Sequence, residues 1–406
     1  MTHPPDDALL TAIAGRFGTP AYVYDLDRMA RRLVAVQGAL PGAAVLYAVK
    51  ANPNGAVLRR LASLGAGAEV ITVGELERAA RAGVPPERIL VGGPAQDAAL
   101  IGRAADLGAG LVSLDSPGQW RGWAASGAAA RFLVRVNPGL DPGTHEHLAT
   151  GAPGSKFGLP AEAALALGRE VAAAGKLAGF HVHAGSMIRD LTVYDAVLDV
   201  LEPLYAALPG LPLLDLGGGF AVPDFPLAAF AARARAIAER LGTALLVEPG
   251  RFLVADAGVL LTRVLHVKDS GPRSHVIADA GMAELIRPAL YDAHHPLRVV
   301  GGDAAGSAPA GRQAGDGAGP ALVDVDGPLC ENADRLARDR HLAGVRPGTL
   351  LAVAEAGAYG FAMASNYASS LRPAEVVIEA GRPRLARRRE RVDDLWRLEE
   401  DGPDGS

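Results

Sequence analysis

Thiols are nearly absent from this chain of 406 residues: Cys330 is its only cysteine, so no disulfide can form within it. A reducing, cytoplasmic setting is therefore expected. Lysine is almost as scarce, with four present, Lys50, Lys156, Lys176 and Lys268, and arginine supplies most of the positive charge. A reaction that needs a Schiff-base amine thus has few candidates. No run of about 18 uninterrupted apolar residues occurs, which argues against a membrane-spanning helix. The start, Met1-Thr-His-Pro-Pro-Asp-Asp7, lacks a basic segment followed by an apolar one and does not read as a signal peptide. The formal net charge of −5 gives no electrostatic case for nucleic acid or an anionic membrane. Neither a GxGxxG pattern nor an internal repeat is found, so a nicotinamide dehydrogenase is a weak reading.

What is present is an ordinary globular composition, 49% apolar and 21% charged, long enough for two domains. Short apolar runs of strand type recur at Ala44–Val49, Ala68–Thr72, Arg88–Gly92, Leu111–Leu114, Phe132–Asn137, Gly179–His183, Leu213–Gly217 and Ala244–Glu248. Between them lie stretches of helical periodicity, among them Asn54–Leu64, Gly74–Ala82, Ala95–Leu107, Ala161–Ala174, Leu191–Leu208 and Leu227–Leu241. Each return to a parallel strand needs a crossover, and this alternation supplies one. Eight strands in roughly 210 residues match a closed (β/α)8 barrel, with an open doubly wound sheet as the alternative. Beyond Val254 strands follow without regular helices: Leu260–Lys268, His275–Asp279, Leu322–Asp326, Leu350–Ala354 and Glu375–Glu379. The expected fold is therefore α/β, a TIM-type barrel at 25–255 plus a C-terminal β-sandwich or β-barrel domain at 256–396. Gly301–Gly319 reads as a mobile loop and 397–406 as a flexible tail.

Barrels do their chemistry at the C-terminal ends of their strands. Here those ends carry Lys50, Glu69, Arg135, His183, the triplet Gly217–Gly219 and Glu248. Lys50 is either a lysine leaving for solvent or a nucleophilic amine. The triplet is a tight turn or a backbone cradle for an anion. Glu248, in Glu248-Pro-Gly-Arg251, is half of a local salt bridge or the partner of a pyridinium N–H, with Gly250 and Arg251 free to meet an anion. His181 and His183 share one strand face, which suits a structural role, stacking on a flat ring, or a metal. The metal is the weaker reading, because no third ligand stands close in sequence. Cys330 is an inert thiol or, beside Glu331 and Asp334, an acid in a polar loop.

Taken together, Tyr47-Ala-Val-Lys-Ala-Asn52, Gly67-Ala-Glu-Val70, Arg135-Val-Asn-Pro138, Ser155-Lys-Phe-Gly158, His183-Ala-Gly-Ser186, Gly217–Gly219, Glu248-Pro-Gly-Arg251, Asp279-Ala-Gly281, Gly327-Pro-Leu-Cys-Glu331 and Gly357-Ala-Tyr359 resemble the fold-type III, alanine-racemase-like decarboxylases that use pyridoxal 5′-phosphate. The resemblance runs from about Pro20 to about Arg391. It implies a homodimer, with residues 1–24 joining the β domain and the active site shared between subunits. Lys50 would hold the cofactor as a Schiff base, His183 would stack on its ring, and Glu248 would pair with its nitrogen. Glu69, Arg135, Ser186, Gly217, Gly218, Gly219, Gly250, Arg251 and Tyr359 would complete the cofactor site. Cys330 would protonate Cα from the other subunit.

Ile286-Arg-Pro-Ala-Leu-Tyr291 and Met363-Ala-Ser-Asn-Tyr367 resemble the diaminopimelate branch, in which Arg251, Arg287, Tyr291, Glu331 and Tyr359 would bind substrate. That implies conversion of meso-diaminopimelate to L-lysine and CO2. The chain departs from the branch at Asn332-Ala333, at Gly93-Pro-Ala-Gln96, at Met187 and at Ile71-Thr-Val-Gly74. The other readings are a decarboxylase of a modified amino acid in siderophore or antibiotic synthesis, a racemase on the same fold, and a non-catalytic homologue that binds partners.

Overall fold

The computed structural model describes residues 5–139, 155–270, 273–301 and 322–399. Most of the loop expected at Gly301–Gly319, and the tail from 400 onward, lie outside these residues. The chain forms two compact units: Met29–Leu253, and a second built from the chain up to Arg28 and from Val254 onward. A first strand, β1 (Ala21–Asp25), belongs to the second unit.

The first unit is a closed barrel of eight parallel strands: β2 (Ala44–Ala48), β3 (Gly67–Val70), β4 (Ile89–Val91), β5 (Leu111–Leu114), β6 (Arg131–Val136), β7 (Leu177–Val182), β8 (Leu213–Asp215) and β9 (Ala244–Val247). Pairing of Ala44 with Leu246 and Val45 with Val247 closes it and rules out the open doubly wound sheet. The crossover helices start where side chains can satisfy free N–H groups: Asn54, Thr72, Asp97 and Ser116 each cap a helix.

Side-chain alternation then decides what faces inward. Leu46, Leu90, Leu111, Leu133, Ala178 and Leu246 form a buried layer. Two residues farther along, on the same strand faces, come Ser113, Arg135 and Glu248. Leu213 packs against the same layer, and Asp215 follows it by two. An apolar floor thus passes directly into a polar layer at the C-terminal mouth.

The second unit holds a nine-stranded mixed sheet. Its members after β1 are β10 (Gly258–Ser270), β11 (Arg273–Ala278), β12 (Leu297–Val299), β13 (Leu322–Asp326), β14 (Arg335–His341), β15 (Leu350–Val353), β16 (Ala374–Glu379) and β17 (Arg382–Arg387). The main path runs β14-β13-β11-β10-β1-β16-β17, with β15 on β10 and β12 on β15. β1 lies antiparallel to β10 and parallel to β16. Leu10 and Ile13 of the helix Asp7–Phe17 pack on Val23, Val259, Leu261, Val376 and Ile378. The outer strands β14 and β17 carry Arg335, Arg338, Arg340, Arg382, Arg384 and Arg387.

Candidate active site

Lys50 sits in the short turn Val49–Ala51 that ends β2. Its Nζ donates to Glu69 Oε2 at 2.5 Å, across adjacent strands. Asn52 and Asn54 brace this turn: Asn52 Oδ1 accepts from the N–H of Asn54, and Tyr47 O–H donates to the Asn52 carbonyl. The Glu248-Pro-Gly-Arg251 segment abuts it, since a Cβ on Gly250 would lie 3.0 Å from Ala48 Cβ.

Arg135 lies near Asp115, Nη1 to Oδ1 3.7 Å, and its guanidinium covers the Phe157 ring at 4.9 Å. Asp115 also accepts the N–H of Gly158. The Ser155-Lys-Phe-Gly158 motif is thereby tied to the end of β6, where Leu159 N–H donates to the Arg135 carbonyl.

The glycine triplet is wedged between the His183 loop and the end of β9. A Cβ on Gly218 would stand 2.3 Å from the Glu248 carbonyl oxygen. One on Gly219, whose φ is +87°, would stand 2.2 Å from the Gly185 carbonyl. Only glycine brings the backbone this close. The N–H of Gly218 donates to His183 Nδ1 at 3.2 Å, which leaves the proton of a neutral His183 on Nε2. Ser186 follows in the same loop, and Ile188 N–H closes it onto the Gly219 carbonyl. Met187 sits at φ 59°, a backbone state unusual for its type.

Charge is concentrated in this chamber and strongly biased. Burial, with Arg135 and Lys50 nearby, pushes His183 down to about 3. Burial also holds His181 well below its usual range. Both rings are neutral at physiological pH. Burial next to Asp215 and Glu69 raises the Glu248 carboxyl well above the carboxylate range. Glu248 Oε1 and Asp215 Oδ2 are buried and accept no hydrogen bond among the described residues. A buried carboxyl in that state is matched by a ligand that brings an N–H or a positive charge. The chamber therefore fits a protonated aromatic nitrogen held at Glu248, with a neutral imidazole and a glycine-lined backbone beside it.

The donor atoms of His181, His183 and Glu248 also lie within 4.8 Å of one another. The third metal-type ligand that the local sequence lacks is thus supplied by folding. Reasoning from sequence missed Ser113, Asp115 and Asp215 altogether. Ser113 and Asp215 stand two residues past the floor residues Leu111 and Leu213 of their own strands, and Asp115 follows Ser113 by two, just beyond the end of β5.

In the second unit, Cys330 is exposed on the segment between β13 and β14. Asp334 organises that segment: its carboxylate accepts from the N–H groups of Leu329 and Met282, so it clamps the 327–334 loop to the Asp279-Ala-Gly281 loop. Glu331 Oε1 accepts from the Tyr367 hydroxyl at 2.6 Å. Arg287 opens the short helix Arg287–Tyr291, and its Nη1 meets His295 Nε2 at 3.2 Å. Tyr359 is partly buried at φ 56°. Arg287, Tyr291, Glu331, Tyr359 and Cys330 are thus all on one unit, and the barrel carries the remaining expected site residues.

The sequence matches the family described as pyridoxal-dependent decarboxylase, pyridoxal binding domain, over residues 26–255. It is 41% identical to diaminopimelate decarboxylase of Deinococcus radiodurans, covering 95% of this chain and 97% of that one. Against diaminopimelate decarboxylase of Zymomonas mobilis the identity is 37%, over 97% and 96% of the two chains. The crystal structure of diaminopimelate decarboxylase from Helicobacter pylori complexed with L-lysine superposes with a TM-score of 0.87 at 32% identity, covering 96% and 99%. The closed barrel, the amine and carboxylates at its mouth and this likeness along both units have one reading: the chain belongs to the pyridoxal-dependent decarboxylase family.

Proposed function

We propose that this protein converts meso-diaminopimelate to L-lysine and CO2, using pyridoxal 5′-phosphate anchored at Lys50. The observation that carries the reading is the Lys50–Glu69 pair, 2.5 Å between Nζ and Oε2, in a mouth that also presents Glu248, whose Oε1 accepts no hydrogen bond among the described residues. The cofactor, when bound, supplies an electron sink for the pair left on Cα as CO2 departs. Everything else falls to the protein. Glu69 holds the Lys50 amine in place. Glu248 faces the ring nitrogen, and neutral His183 offers a flat, uncharged ring. Arg135, through Asp115, keeps the motif after β6 against the mouth. Ser186, Gly217, Gly218, Gly219, Gly250, Arg251 and Tyr359 hold the phosphate with N–H groups, hydroxyls and one guanidinium.

Arg251, Arg287, Tyr291, Glu331 and Tyr359 bind substrate. A guanidinium at Arg287 suits an amino acid with a second carboxylate and would be left unmatched by ornithine. Cys330 holds the proton that Cα receives. It acts from the second subunit of a homodimer, and its exposed thiol calls for a reducing, cytoplasmic setting. The catalytic barrel is assigned to 25–255, and the β domain to 256–396 with residues 1–24.

A related decarboxylase acting on a modified amino acid is the second reading. The exposed Asn332 and the left-handed Met187, both departures from the diaminopimelate branch, favour it. The deciding experiment gives meso-diaminopimelate to cofactor-loaded protein and quantifies CO2 and lysine in the same tube. Equal amounts of both are expected. No turnover by protein that carries the cofactor overturns the substrate assignment.

A further inference from the structure

We propose that Ser113 and His181 form a relay inside the barrel that aims an N–H at Glu248 and so sets the carboxylate on which the cofactor ring rests. The proposal builds on the reading of Glu248 as the partner of the ring nitrogen. Neither Ser113 nor His181 is given contact with cofactor or substrate by that reading. Both are positioning residues.

The geometry is that of a chain of three groups. Ser113 projects inward from β5, two residues after the floor residue Leu111, and is 1% exposed. Its Oγ meets His181 Nδ1 at 2.7 Å. That is the hydroxyl's one hydrogen bond among the described residues. The strand is fixed at this point, because Gln96 Nε2 donates to the Ser113 carbonyl at 2.8 Å and Gln96 Oε1 accepts from Trp123 Nε1 at 2.7 Å. On the far side of the ring, His181 Nε2 lies 3.8 Å from Glu248 Oε2 and has no hydrogen-bond partner among the described residues.

The tautomer in the cofactor-loaded protein follows from these distances. A neutral imidazole has one N–H and one lone pair. With a protonated cofactor nitrogen holding Glu248 ionised, a proton on Nδ1 would leave the Nε2 lone pair facing a carboxylate oxygen in a buried chamber, two acceptors with no hydrogen between them. With the proton on Nε2, the Ser113 hydroxyl donates to Nδ1 and the N–H points at Glu248. The second arrangement satisfies both ring nitrogens. Burial and the charges of Arg135 and Lys50 keep the ring uncharged, so the donor it offers adds no positive charge to compete with a protonated ring nitrogen for Glu248.

A histidine kept only for packing would show no fixed tautomer and would tolerate loss of the serine hydroxyl. The test labels histidine with 15N and reads the His181 ring nitrogens in the cofactor-loaded protein. A neutral ring protonated on Nε2 is expected. A ring protonated on Nδ1, or an imidazolium, overturns the relay.

Ser113→Ala removes one buried oxygen and little volume. It is expected to lose the single tautomer and to bind pyridoxal phosphate roughly tenfold more weakly in an absorbance titration, the scale of a lost outer partner. Ser113→Thr is expected to restore the tautomer. His181→Phe, which keeps a ring, is expected to weaken cofactor binding at least as much and to change the absorbance of the bound cofactor, with the melting temperature read alongside. Unchanged cofactor affinity and spectrum in Ser113→Ala and His181→Phe overturn the proposal. Protein that shows the Nε2 tautomer and the weakened variants, yet releases no CO2 from diaminopimelate, supports the relay and overturns the substrate assignment instead.

Discussion

His295 gives its unprotonated ring nitrogen to Arg287: its Nδ1 donates to the Ala354 carbonyl at 2.9 Å, which leaves Nε2 to accept from the guanidinium at 3.2 Å. His295 is 1% exposed, so this pairing is rigidly held. Replacing His295 with Ala loosens Arg287 without touching the barrel. Steady-state kinetics with diaminopimelate should show KM raised roughly tenfold and kcat changed less, the pattern of lost uniform binding. A KM equal to that of the parent protein removes Arg287 from substrate recognition.

Lys50 is the amine on which the reaction depends. Lys50→Ala should abolish the absorbance of the covalently held cofactor and lower turnover at least roughly a thousandfold. Glu69→Gln keeps the shape but ends the ion pair, and should cut turnover while the cofactor stays bound. Activity surviving in Lys50→Ala would sink the mechanism.

The glycine triplet admits no side chain. Gly218→Ala puts a methyl group 2.3 Å from the Glu248 carbonyl carbon's oxygen, so either the loop or the end of β9 must move. A strain of about 1–3 kcal/mol is expected. It should appear as weaker pyridoxal phosphate binding by titration and a lower melting temperature of the loaded protein. An unaltered affinity would show that the cradle does not hold the cofactor.

Glu284 gives the second unit a stability that depends on pH. It is 5% exposed and accepts the N–H of Gly281, and burial pushes its carboxyl up to about 7. The folded state therefore holds a proton that the unfolded chain releases near pH 4.5. The group is least costly below that value, and stability is lost as pH rises from there through about 7. Glu284→Gln can still accept the Gly281 N–H but does not titrate. Its melting temperature relative to the parent should rise by a few degrees between pH 5 and pH 8, on the order of 2–3 kcal/mol. A difference that stays flat across that window contradicts the assignment.

If Cys330 serves the neighbouring subunit, two dead variants should rescue each other. Lys50→Ala and Cys330→Ala proteins, unfolded together and refolded, form mixed dimers with one intact site. About a quarter of parental activity should return from a statistical mixture. No recovery, with mixed dimers present by mass measurement, places Cys330 in its own subunit's site.

The barrel was legible because its signals are local. Each strand is a short apolar run and each helix has a periodic stripe, so all eight barrel strands were anticipated to within about two residues at their ends. The helix Pro117–Ser126 carries no clear periodic stripe, since Gly118 and Gly122 interrupt its apolar face, although Ser116 caps it and Gly127 ends it at φ 70°. β14 and β17 were missed because they lie at the outside of their sheet, where arginine replaces the alternating pattern. At the site, residues at strand ends announced themselves by chemistry. Ser113 and Asp215 did not, because a serine or aspartate inside a strand acquires meaning only when register brings it opposite His181 or Glu248. The contact between Arg287 and His295 needed the turn after Tyr291, which no pattern in the sequence specifies.

Arginine on those two outer strands has a bearing on how the protein behaves at high concentration. An exposed β-edge is a template on which another chain can assemble. At the two ends of the main path, β14 presents Arg338 and Arg340 and β17 presents Arg382 and Arg384, where Pro383 has no N–H to offer a partner. A second copy approaching either edge meets like charge and an interrupted ladder, so the residues that hide these strands from a sequence reader also discourage fibrous growth.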